Sequence, residues 1–206
     1  MYIPANFRMT ERETLEFIQE FPFGMLISND ESGLQTTHIP FYLIEQSDKL
    51  YLHTHLSAVN TQGNALDQKE ILVVFHGPNA YISSSWYNHP NVSTWNYLAV
   101  HVKGKSRIME TQELIASLSR LTELHEQGEQ RPFLVKDMDE KFFNSHLNGV
   151  TGIEIEITVI EGVKKLSQNR DEENLNRIID ALKSRNNHFD ADIAKRMEIE
   201  MDINKP

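Results

Sequence analysis

Apolar and polar positions along the chain fall mostly into short alternating runs broken by turn formers, with helical spacing confined to a few stretches. Thr10 followed by Glu13 forms a capping-box pattern. Leu15, Ile18 and Phe21 or Phe17 behind it predict a short helix from about Glu11 to Glu20, ended by Pro22. Phe23 to Ser28 is a compact apolar run, 29–33 (NDESG) is dense in turn formers, and Leu34 to Ile44 is a second β-branched run, so the three together read as a hairpin. Lys49 to His55 and Ile71 to His76 add strands at short intervals, which predicts a closed antiparallel architecture. Asn96 to Met109 is long enough for a bent strand, with Gly104 where sharp curvature excludes a Cβ and with Val100 and Val102 on one face.

Thr111 is placed to cap a helix carrying Leu114, Ile115, Leu118 and Leu121, and Arg131 to Asp139 reads as a loop. A shorter helix is marked by Phe142, Phe143 and Leu147. Ile153, Ile155, Ile157 and Val159 then alternate with polar residues, the cleanest strand signal in the chain. Asp171 begins a helical region with Leu175, Ile178, Ile179 and Leu182 on one stripe. A polar break at Asn186-Asn187-His188 and a charged tail helix from Asp190 follow. Without repeats, low-complexity sequence or a Gly/Ser linker, the expected division is a β-barrel domain with peripheral helices at 1–168 and a helical appendage at 169–206 that is not an independent domain.

Composition narrows the chemistry. The 206 residues, 39% hydrophobic and 24% charged, suit one globular domain with a small appendage. With neither an eighteen-residue apolar run nor a basic, apolar N-terminal leader, the expectation is a cytoplasmic protein with no membrane partner. The absence of cysteine removes disulfides, thiolate nucleophiles and Cys-type metal sites. Thirty acidic against twenty basic residues give a formal charge of −10, which repels a phosphate backbone. From Asp171 to Pro206 nine acidic residues outnumber six basic ones, and no helix-turn-helix word is found, so direct DNA binding is not expected.

Three constellations carry candidate chemistry. His53-Thr54-His55 puts two imidazoles on one side of a strand, but no acidic residue completes a metal triad, so structural or ligand-contacting histidines are expected and no metal site is assigned. The stretch from His76 to His101 holds both tryptophans, Trp86 and Trp95, with hydroxyls and side-chain amides. It suits either a cleft that sandwiches a planar heterocycle or an aromatic subunit interface. Lys165-Leu-Ser-Gln-Asn-Arg170 offers Arg170 as a guanidinium for an anion, or else a helix start capped by Asn169 or Asp171. No G-x-S-x-G, P-loop, G-x-G-x-x-G or paired-carboxylate motif is present, and no catalytic residue is assigned.

The words MYIP at the start, THIPF at Thr37, HGPNAYISSSWY, STWNYLAVHVKG and KLSQNR occur in an order and spacing that resembles the PaiB-like family of FMN-binding negative transcriptional regulators. The resemblance implies a mainly β, α+β fold: a split antiparallel β-barrel of the FMN-binding, pyridoxamine-phosphate-oxidase-like type, acting as a homodimer with a small planar ligand such as flavin between subunits. It implies FMN contacts at Thr37, His38, Ile39, Thr54, His55 and Ser57, joined by Asn60, Trp86, Trp95, Asn96 and Arg170. The basic residues that commonly follow that serine are replaced by Ala58 and Val59. A flavin phosphate would then depend on Ser57, Asn60, the N-terminus of a helix predicted near Asn60, or Lys103 or Arg170 arriving from elsewhere. The alternative function is a flavin-dependent oxidoreductase or a haem-handling split-barrel enzyme, with His38, His55 or His101 as an iron ligand.

Overall fold

The computed structural model describes residues 1–185 and 187–203; Asn186, in the expected polar break, lies outside them. The elements in order are α1 (Glu11–Glu20), β1 (Phe23–Asp30), β2 (Gly33–Pro40), β3 (Tyr42–Gln46), β4 (Lys49–Ser57), β5 (Lys69–Ile82), β6 (Thr94–Ile108), α2 (Thr111–His125), α3 (Glu140–Leu147), β7 (Val150–Lys165), α4 (Glu172–Ser184) and α5 (His188–Ile203). Strand order in the antiparallel sheet is β2-β1-β5-β6-β7-β4-β3. The sheet is therefore open, with β2 and β3 at its ends, and the closure expected from the spacing of the strands is not made by hydrogen bonds. Between the two end strands lies only Phe41, which is fully buried and gives its N–H to the Pro22 carbonyl at 2.8 Å, extending the β1–β2 ladder by one position. The 34–44 run is thus two strands with a break at Phe41.

The chain folds into two compact units, one comprising Met1–Phe17, His76–His101 and Glu161–Pro206, the other Ile18–Phe75 and Val102–Ile160. In the second, the barrel unit, β1 and β2 form a hairpin in register from Phe23 opposite Pro40 to Asp30 opposite Gly33. Asp30 accepts from the Ser32 N–H at 2.8 Å, and Gly33 takes φ +102°, a left-handed conformation that glycine adopts freely. Strand β4 pairs with β7, and Leu26, Phe41, Leu52, Leu56, Leu66, Val73, Phe75, Val102, Ile153 and Ile155 form its buried core. A Cβ on Gly104 would lie 2.5 Å from the Glu156 carbonyl oxygen, so the close approach of β6 and β7 requires glycine there. Helix α2 starts one residue earlier than its threonine suggests: Glu113 reaches back to the Glu110 N–H at 2.8 Å, and Thr111 is the first helical residue.

In the first unit, which carries α4 and α5, the expected Thr10/Glu13 capping box closes α1, with the Thr10 N–H on Glu13 at 2.7 Å and the Glu13 N–H on the Thr10 hydroxyl at 3.3 Å. Ile3, Ala99 and Val163 pack together, and Ile178, Ile179, Leu182, Ile193, Ala194 and Met197 are buried on α4 and α5. Lys164 sits between Glu13 at 2.6 Å and Glu200 at 2.7 Å, tying α1, β7 and α5 through one ammonium. Among the described residues no helix is long and apolar enough to cross a membrane. Gly104→Ala is expected to lower the unfolding free energy by about 1–3 kcal/mol because backbone must move. Gly33→Asn, with nothing within 4 Å of its Cβ but at a φ of +102° that lies beyond the left-handed region asparagine tolerates, is expected to cost about 1 kcal/mol through backbone strain alone. Urea denaturation of the two variants checks both.

Candidate functional site

Strand alternation sorts the barrel-unit candidates. On β2, Thr37 and Ile39 share one side and His38 points to the other. Ile39 is buried, whereas His38 is exposed and stacks on Phe23, ring centroids 6.5 Å apart and planes 19° apart. Thr37 donates to Gln62 Oε1 at 2.6 Å and accepts from Asn60 Nδ2 at 3.1 Å. Gln62 is buried and gives its amide N–H groups to Ser28 Oγ at 2.9 Å and to the Gln35 carbonyl at 3.3 Å. This network, absent from the sequence-level expectations, locks β1, β2 and the residues after β4 together. A buried glutamine in a polar turn has no periodicity to announce it.

The segment after β4 is poor at holding an anion. In place of the helix expected near Asn60 there is a five-residue 3-10 turn, Thr61–Ala65, too short to build a useful dipole. Two of its donors are spent: the Gln62 N–H on Asn60 Oδ1 at 3.0 Å and the Gly63 N–H on the Asn60 carbonyl at 3.0 Å. The Ala58 and Asn60 N–H groups are also taken, by the Gly149 and Ser57 carbonyls, each at 2.8 Å. Ser57 is exposed at the strand end. Thr54 is buried and commits its hydroxyl to the Pro40 carbonyl at 2.7 Å.

The two histidines of the H-x-H word have different surroundings. His53 uses both ring nitrogens, Nδ1 with the Tyr42 hydroxyl at 3.1 Å and Nε2 with Glu154 at 2.9 Å. Glu154 in turn takes Arg107 Nε at 2.8 Å, and Arg107 forks onto Glu113 at 2.7 and 2.8 Å. That fork, with the Glu110 N–H, holds the Glu113 carboxyl down at about 2. His55, opposite Gly152, is half-buried and has no hydrogen-bond partner among the described residues. Burial lowers the pKa of both imidazoles, and at His53 the Glu154 contact opposes that effect. Among the described residues no cluster of three or more metal-ligating side chains is gathered.

The remaining four candidates lie in the first unit. Trp95 is 53% exposed and meets Tyr81 edge-on, centroids 5.9 Å apart. Trp86 is covered by the Arg185 guanidinium 4.5 Å from its ring, and its carbonyl accepts from Arg177 at 3.1 Å, so it docks α4. Asn96 is fully buried, accepting from Ser167 Oγ at 3.0 Å, with its amide nitrogen near only the Met197 sulfur at 3.5 Å. Arg170 lies over the Tyr87 ring, 5.3 Å from its centroid. Asp171 caps α4 as the helix-start alternative expects, accepting from the Asn174 N–H at 2.9 Å. Lys165 and Tyr87 stand in motifs that the sequence singles out, yet neither is selected by residue type alone. The signal for the lysine is charge pattern: Lys164, Lys165 and Arg170 occur with no acid between Glu161 and Asp171.

A family model described as "Putative FMN-binding domain" matches residues 1–159. The chain belongs to this FMN-binding-domain family. It is 36% identical over 200 residues, 96% of this chain and 97% of the relative, to the protease synthase and sporulation protein PAI 2 of Bacillus subtilis (strain 168), which bears out the PaiB-like resemblance. Solved structures share the split-barrel fold at low identity. The flavocytochrome Anf3 from Azotobacter vinelandii matches with TM-score 0.59 and 16% identity over 84% of this chain and 77% of its own. The FAD and heme binding protein from Mycobacterium smegmatis matches with TM-score 0.57 and 13% identity over 81% and 76%.

Because the folded-state pKa values of His53 and His55 lie below the ordinary 6.5, the unfolded chain takes up protons first as the pH falls. Stability is therefore expected to be full above about pH 7 and to decline as the pH drops through about 6.5, until the native imidazoles also titrate. His55→Gln removes one of the two contributions, so its loss of stability between pH 7.5 and 5.5 should be the smaller in parallel thermal melts.

Proposed function

We propose that this protein is a homodimeric, cytoplasmic, FMN-binding PaiB-like regulator, a negative regulator of transcription that acts through a bound flavin rather than by gripping DNA itself. The observation that carries it is family membership across residues 1–159 joined to near full-length similarity to the Bacillus protein, whose name ties it to protease synthesis and sporulation. Flavin performs redox or sensing chemistry on its own ring, so the chain need only orient it and control its access to other molecules. The exposed Trp95 face suits that role. Support for a second copy comes from the barrel unit, where Leu34, 76% exposed, and Val159 line a groove of about 700 Å³ with Ile27 and Leu72, edged by Glu70, Lys103 and Lys105. The acidic balance of the whole chain opposes direct contact with a DNA backbone.

A second reading is favoured by one observation, the unpartnered His55 imidazole in a fold shared with a protein named for FAD and haem: a flavin-dependent oxidoreductase or haem-handling barrel. The two predict different spectra. Flavin titration followed by fluorescence quenching is expected to saturate at micromolar concentration, with Trp95→Ala weakening it about two- to tenfold and Trp86→Ala acting chiefly on stability. Saturable haem binding with a Soret band lost in His55→Ala, and no flavin binding, would favour the second reading. A salt-sensitive, sequence-specific gel shift by the pure protein would overturn the indirect mode of regulation.

A further inference from the structure

The Ala58, Asn60, Gln62 and Gly63 N–H groups that follow β4 are spent on the protein itself, so a phosphate there would lack most of the backbone donors. Among the described residues, two half-buried cations of the first unit stand without a carboxylate. Strand alternation puts Lys164 and Lys165 on opposite faces of β7, and Lys164 takes both nearby acids, Glu13 and Glu200. Among the described residues Lys165 is left with only the Thr94 hydroxyl. Burial and then the charge of Arg170 lower the lysine's pKa, so the two cations are near enough to repel.

Arg170 forms no ion pair among the described residues. Its neighbour Asp171 makes no ion pair with it among the described residues; the Asp171 carboxylate faces Asn174, accepting from its Nδ2 at 3.0 and 2.8 Å. Ser167, at φ +64°, reverses the chain, and its carbonyl accepts the Arg170 N–H at 3.0 Å, so the turn that carries the guanidinium is fixed.

An independent observation converges on the same cluster. Tyr87, whose ring lies beneath Arg170, is 6% exposed, and its hydroxyl is the one buried side-chain polar atom among the described residues that lacks a hydrogen-bond partner. Two adjacent cations and an unsatisfied phenol are each unfavourable in the free protein, and an anionic acceptor is the kind of group that each of them lacks.

We propose that Lys165, Arg170 and Tyr87 form a binding site for a phosphate monoester, and that this is where the phosphate of the flavin nucleotide is held. The ammonium supplies point charge, the guanidinium a fork for two oxygens, and the phenol a neutral donor. The identity of the phosphate's carrier rests on the flavin reading above; the anion site does not.

The test uses the full chain with FMN, riboflavin and inorganic phosphate as probes. FMN is expected to bind at least tenfold tighter than riboflavin. The Lys165→Gln/Arg170→Gln double variant should bring FMN to the riboflavin level while leaving riboflavin affinity unchanged, and inorganic phosphate should compete with FMN only in the unaltered protein. Tyr87→Phe should weaken FMN about three- to tenfold while its melting temperature holds or rises, since the hydroxyl it removes has no partner. Equal binding of the two flavins, or equal loss of both in the double variant, overturns the assignment. If neither flavin binds, the flavin reading fails and the anion site is judged separately. Inorganic phosphate should still raise the melting temperature of the unaltered protein and not of the double variant or of Lys165→Gln alone; no difference between them overturns it.

Discussion

A polar group taken out of water must find a partner or cost the fold on the order of 1–3 kcal/mol, and this constraint orders the whole structure. It explains why Gln62 joins Thr37, Asn60 and Ser28, and why Thr54 turns to the Pro40 carbonyl. It also explains why Ser106, buried on β6, bonds to the Leu66 carbonyl at 2.6 Å. The chain of Tyr42, His53, Glu154, Arg107 and Glu113 meets the same demand with charge, fastening α2 to the sheet through a fork of two hydrogen bonds. Such groups are structural because their bonding capacity is used.

Where the constraint is left unmet, a different role is indicated. Among the described residues, Tyr87 has a buried hydroxyl without a partner, and Lys165 and Arg170 have charge without an acid. In a chain of formal charge −10 a local pair of cations focuses a field that its surroundings oppose, which favours an anionic ligand at that point and disfavours an extended phosphate backbone. The same sorting separates the two tryptophans. Trp86 is stacked by Arg185 and belongs to the docking of α4, while the Trp95 face is open.

Most of the fold was legible in the chain because its periodicities are local. The α1 boundaries follow from Thr10, Glu13 and Pro22; β7 follows from alternating isoleucines; the α4 stripe follows from Ile178, Ile179 and Leu182. Gly104 was legible as a place without room for a Cβ. The break at Phe41 and the open ends of the sheet were not, because strand count does not say which edges pair. The site was legible as motifs but not as roles. Thr54, Asn60 and Trp86 look available by residue type and prove committed to neighbours. Lys165 looks like its neighbour Lys164 until the fold pairs one with Glu13 and Glu200 and leaves the other. Hydrogen-bond partners at sequence separations of dozens of residues cannot be read from composition or spacing.

The most direct measurement is a crystal structure of the complex with FMN. Phosphate oxygens are expected within hydrogen-bond reach of Lys165 Nζ and the Arg170 guanidinium, with the Tyr87 hydroxyl satisfied. A phosphate seated instead on Ser57 and the backbone from Ala58 to Gln62, with Tyr87 still unpartnered, would contradict that placement.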